Sequence, residues 1–138
     1  MDFARPEWSE RSHFPADVFL KLGKLGLMGM LVDEKYGGAG ARFVSYVAAM
    51  EELGAADQSV ASGWNAHSTI ASVPLATFGT VEQKQRWLVP LATGTHIGAF
   101  GLTDGSNAAG IRTQARQADS SWILNDTKMC LSATQAPK

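Results

Sequence analysis

The residues of this chain best suited to holding a ligand sit together in "AFGLTDGSN", residues 99–107. Thr103 and Ser106 offer hydroxyls on either side of Gly105. Backbone N–H groups around such a small loop can converge on an anion or on the edge of a heteroaromatic ring. The same residues also make a plain Gly/Ser turn, and their types and spacing leave both readings open. Other chemistry is thinner. His13, His67 and His96 match no metal-ligand spacing, and with a single cysteine the chain is short of zinc ligands. His67 reads as an ordinary helix histidine. Cys130 has no local histidine or electropositive setting to activate it and reads as a small buried apolar residue. Glu51 and Glu52 are adjacent, so on a helix they point to different faces and do not form an acid/base pair. The "GGAG" run, residues 37–40, lies between two helical patterns rather than after a strand, which argues against a phosphate cradle.

The elements that must position the 99–107 stretch come in two kinds. Composition first: 138 residues, 45% hydrophobic and 18% charged, suit one ordinary globular core. A chain of this length buries roughly two-thirds of its unfolded surface. The formal net charge of −1 and the absence of a basic stripe exclude nucleic acid as a partner. Apolar runs are broken by glycine or charge, so no membrane-spanning helix is expected. The N-terminal residues carry acids and no apolar h-region, so no secretory signal is expected. One cysteine and no internal disulfide suit a reducing, cytoplasmic compartment.

Up to about residue 94 the pattern is helical. Pro15 opens a helix whose stripe is Val18, Phe19, Leu22 and Leu25, with Gly26 and Gly29 at its end. "SYVAAMEELGAAD", residues 45–57, predicts a helix capped by Ser45, with Tyr46, Val47, Met50 and Leu53 inward and Gly54 closing it. Residues 59–77 are small and almost uncharged, the composition of a helix buried among helices, with Pro74 starting or kinking a segment. A fourth helix follows Thr80, with Gln83 completing a capping box and Trp87, Leu88 and Leu91 facing inward; Pro90 marks a break. After Gly94 the period changes to two. "HIGAFGLT" (96–103), "GIRTQARQA" (110–118), "SWILND" (121–126) and "KMCLSA" (128–133) read as short strands, with Asn125-Asp126 as a hairpin turn. Helices followed by strands give an α+β class: an all-α helical domain, then a few antiparallel strands.

The succession "LGKLGLMGMLVDEKYGGAGARFVSYVAAMEELGAAD", "FGTVEQKQRWLVPLATGTHIGAFGLTD" and "WILNDTKM" resembles the N-terminal part of an acyl-CoA dehydrogenase, in register from about Phe14 onward. The resemblance implies an N-terminal helical domain over residues 1–94 and a partial middle β-domain over 95–138. In the family a C-terminal four-helix bundle follows, and the enzymes are usually tetramers. They hold FAD and oxidise the Cα–Cβ bond of acyl-CoA thioesters, a C-terminal glutamate taking the α-proton. By position, the resemblance puts Phe100, Leu102 and Thr103 beside the isoalloxazine ring, with Thr103 bonding its edge. Gly105 and Ser106 match the loop touching the FAD pyrophosphate or the substrate. Ser132 matches a second hydroxyl near the flavin, and Cys130 stands where the family usually has a shielding tryptophan.

Departures from the family pattern accompany the match. "TDGSNAAG" is shorter by several residues than the usual loop, with Asp104 for Glu-Pro and Asn107 for the closing aspartate. Asn125-Asp126 replaces Asn-Gly. No residue matches the catalytic base, so none is assigned as catalytic. The expectation is therefore a truncated family member, not performing the oxidation alone. The alternatives are one half of a split flavoenzyme, or a helical interaction module whose uncovered apolar face drives self-association or binds a partner.

Overall fold

The computed structural model describes residues 13–103, 111–129 and 131. They fall into two compact units, dividing between Ala99 and Phe100.

The first unit is helical. Helix α1 (Ala16–Lys24) starts directly after Pro15 and buries Val18, Phe19 and Leu22. Leu25, predicted to continue the stripe, is exposed, because the helix stops and Gly26 turns the chain with φ 76°. A 3₁₀ turn (Glu34–Tyr36) follows, capped by the Asp33 carboxylate accepting from the Lys35 amide. Helix α2 (Phe43–Ala56) begins two residues before the predicted cap Ser45, with Arg42 at the N-cap position. It runs through Gly54, and of the predicted stripe only Tyr46 is buried; Val47 is exposed.

Helix α3 (Gln58–Asn65) takes its cap from Asp57, whose carboxylate accepts from the Val60 amide at 2.9 Å. It continues through a π-helical segment (Ala66–Ser72) into α4 (Val73–Phe78). Helix α5 (Val81–Gln83) likewise passes through a π-helical segment (Lys84–Leu88) into α6 (Val89–Ala92). Pro74 and Pro90 each sit in the first turn of the α-helical segment that follows the π segment. A proline lacks the N–H for the ladder and crowds the preceding turn, and a widened turn upstream accommodates both. Pro90 therefore does not break the helix. The Thr80 capping box is formed in both directions, at 3.2 and 2.9 Å.

The main core gathers Val18, Phe19, Leu22, Met28, Tyr46, Val60 and Trp64. The Tyr46 and Trp64 rings lie 4.6 Å apart. The Trp64 indole N–H donates to the Leu27 carbonyl at 3.0 Å, and the Tyr46 hydroxyl donates to Asn65 Oδ1 at 2.9 Å. Burial pushes the Tyr46 phenol up to about 12. A second cluster joins Val32, Tyr36, Leu88 and Ala92. Trp87, predicted to face inward, is exposed, with the Arg86 guanidinium 4.7 Å from its ring centre. The glycine run closes on itself: the Gly40 amide donates to the Val32 carbonyl at 2.8 Å and Ala39 to Gly29 at 3.0 Å. A Cβ on Gly38 would fall 2.0 Å from the Val32 oxygen, so the glycine is there for close backbone packing.

The second unit contains an antiparallel hairpin, β1 (Gln114–Ala118) and β2 (Ser121–Asn125), registered from Gln114↔Asn125 to Ala118↔Ser121. Its turn is Asp119-Ser120, with Asp119 at φ 51°, a region aspartate enters more readily than most residues. Asn125-Asp126, expected to turn the chain between 121–126 and 128–133, stands at the far end of this ladder, Asn125 pairing with Gln114; residues 130, 132 and 133 of the following stretch lie outside the described residues. Residues 97–103 form no regular strand; Thr103 accepts from the Met129 amide at 3.0 Å. No described helix is long and apolar enough to cross a membrane.

Candidate functional site

Three of the six predicted cofactor contacts, Phe100, Leu102 and Thr103, are described; Gly105, Ser106 and Ser132 lie outside the described residues, as does Cys130. Phe100 and Leu102 are exposed and Thr103 is half-buried. Their backbone is held by the chain after β2. The Met129 amide takes the Thr103 carbonyl, and the Lys128 ammonium donates to the Leu102 carbonyl at 3.0 Å. A Cβ on Gly101 would fall 2.6 Å from Leu131 Cδ2. The missing side chain there makes room for Leu131.

Lys128 is the hub of this arrangement. Its ammonium pairs with the Asp126 carboxylate at 3.0 Å, and both side chains are only about one-fifth exposed. Thr113 completes the group, its hydroxyl donating to Asp126 and accepting from Lys128. A shielded, charge-assisted cluster of this kind fixes geometry better than an exposed pair does. It joins the residues just before β1, those just after β2, and the Leu102 carbonyl. Sequence reading missed this cluster. The one available signal was Asp126 and Lys128 two residues apart, the spacing that puts side chains on one face of an extended chain.

The arrangement presents an apolar ring, an apolar branched side chain and a hydroxyl, with the Leu102 and Thr103 carbonyls engaged by Lys128 and Met129. Such a donor set can stack on a flat heteroaromatic group and hydrogen-bond its edge. Among the described residues of this arrangement the carboxylate is that of Asp126, and it is engaged by Lys128 and Thr113.

Residues 3–95 match the family model described as acyl-CoA dehydrogenase, N-terminal domain. The chain belongs to the acyl-CoA dehydrogenase family. It is 41% identical over 137 residues to the Bacillus subtilis protein named "Probable acyl-CoA dehydrogenase YngJ", covering 92% of this chain and 36% of that one. Among solved structures it is similar to butyryl-CoA dehydrogenase from Megasphaera elsdenii, with TM-score 0.87 and 35% identity over 94% of this chain and 36% of that one. It is equally similar in shape to a Mycobacterium smegmatis glutaryl-CoA dehydrogenase solved in complex with FADH2. There the TM-score is 0.86 at 40% identity, over 94% of this chain and 34% of that one. The chain thus spans about a third of the length of these relatives. Helical unit, hairpin and the 99–103 segment all fall within the stretch that acyl-CoA dehydrogenases share with it.

Proposed function

We propose that this chain supplies the helical layer and one wall of the flavin site of an FAD-dependent acyl-CoA dehydrogenase, and that it does not oxidise acyl-CoA by itself. We take the helical domain as residues 1–94 and the partial β-domain as 95–138, and place the protein in the cytoplasm. The observation that carries the reading is the match over nine-tenths of this chain to only about a third of its relatives, one of them solved with the reduced flavin.

The residues fit the group. Thr103 is half-buried beside exposed Phe100 and Leu102; its carbonyl accepts from the Met129 amide, which fixes the backbone, and its hydroxyl can donate to a ring edge. FAD, when bound, supplies the acceptor for the hydride leaving the acyl β-carbon. Thr103 offers a hydrogen bond where negative charge grows on reduction, and Phe100 and Leu102 exclude water from the ring. Gly105, Ser106 and Ser132 would add loop and hydroxyl contacts. No side chain here takes the α-proton, so half a site gives neither full positioning nor a base.

Exposed apolar residues on α2, Phe43, Val44 and Val47, support completion by further protein surface. They equally support the second reading, a self-associating module. Co-expressing the chain with the C-terminal two-thirds of the Bacillus relative separates the two. Recovery of a yellow complex that oxidises a short acyl-CoA supports the flavin-site reading. A colourless homo-oligomer that ignores the added partner supports the module.

A further inference from the structure

We propose that His67 is a pH-sensitive latch: its neutral ring holds residues 97–99 onto the helical unit, and protonation of the ring lets that segment go. His67 is fully buried in the π-helical segment between α3 and α4. Its Nδ1 accepts a hydrogen bond from the Gly98 amide at 2.8 Å. Its Nε2 lies 3.1 Å from the Met28 carbonyl, which only an Nε2–H can satisfy. The two partners together specify the neutral Nε2–H tautomer, because the Gly98 N–H requires a lone pair on Nδ1. Gly98 is packed as tightly as a residue can be. A Cβ there would fall 2.6 Å from Ala71 Cβ and 3.3 Å from Nδ1 itself, so the segment has one seat.

A proton on Nδ1 turns the Gly98 contact into donor against donor. Burial opposes that charge and is the largest influence on the ring, holding His67 below the ordinary histidine range; the Met28 and Leu91 backbone groups push the other way. The turn carrying Met28, helix α6 and residues 97–98 bring backbone and apolar groups to it, and among the described residues no charged side chain contributes to its balance. His96, two residues before Gly98, is exposed. The sign follows: the released state binds the proton more readily, so the latch is at full strength above about pH 6.5 and weakens as pH falls below it. The inference does not depend on flavin. It concerns the segment that runs in sequence into Phe100.

The test is amide hydrogen exchange by NMR on the whole chain, expressed as protection factors corrected for the intrinsic effect of pH. Between pH 7.5 and 5.5 the Gly98 amide is expected to lose protection about tenfold, while the Trp64 indole N–H, bonded to Leu27, keeps its own. His67→Asn keeps an acceptor near the Nδ1 position but cannot titrate, so Gly98 protection becomes independent of pH. His96→Gln leaves the wild-type response intact. The ring nitrogens of wild-type His67 should report an unprotonated Nδ1 at neutral pH, a readout that needs no variant to fold. A flat Gly98 profile in the wild type, a loss that tracks Trp64, an Nδ1–H ring at neutral pH, or the same pH response in His67→Asn each overturns the latch.

Discussion

The helical unit and the hairpin unit use the same kinds of residue to opposite effect. Trp64 in α3 is fully buried, packed against the tilted ring of Tyr46 and bonded through its indole to Leu27. Trp122 in β2 is 64% exposed, and its neighbours Ile123 and Leu124 are exposed as well, one to each side of the ribbon. The gain from burying an aromatic side chain grows with the area covered, so Trp64 contributes more than the mostly exposed Trp122. The helical unit thus has a buried core of its own, with Phe19, Leu22, Met28 and Leu88 all at 2% exposure or below. An isolated two-stranded ribbon is marginal in water. Its order rests on a short ladder and on the cluster of Lys128, Asp126 and Thr113.

Substitutions probe that contrast in order of size. Trp64→Ala is expected to cost about 3–5 kcal/mol, read by denaturant unfolding of the helical circular dichroism, since it leaves a cavity in the core and orphans the Leu27 carbonyl. Loss of less than about 1 kcal/mol would mean the helical core is loose. Thr80→Ala should cost about 1 kcal/mol in the same assay by removing one arm of the capping box. Trp122→Ala and Thr103→Ala should each change stability by no more than about 0.5 kcal/mol. If either costs more than about 2 kcal/mol, its side chain has a buried structural partner and the contrast between the units fails.

What was legible in the sequence divides along the same line. The four helical stretches follow from apolar spacing, and the Thr80 box from its signature. Leu25, Val47 and Trp87 were expected inward and are exposed. Periodicity marks which side of a helix is apolar and is silent on whether anything covers it. The strands at 114–118 and 121–125 lie inside the stretches whose residues alternate with period two, and the break between those stretches is the turn Asp119-Ser120; that the two pair with each other is visible only in the ladder register. Phe100, Leu102 and Thr103 came from family resemblance. Lys128, Asp126 and Thr113 went unnoticed because the group forms only when segments on either side of the hairpin meet. His67 read as ordinary because its partners are backbone groups at Met28 and Gly98, 39 and 31 residues away in sequence and invisible to any side-chain motif.

Measuring flavin on the purified 138-residue chain, with no second polypeptide present, goes most directly to the proposal that the cofactor site is shared with protein beyond this chain. The expected result is a colourless protein with native helical content and no acyl-CoA oxidation when FAD is supplied. Flavin retained at one per chain through gel filtration would contradict it.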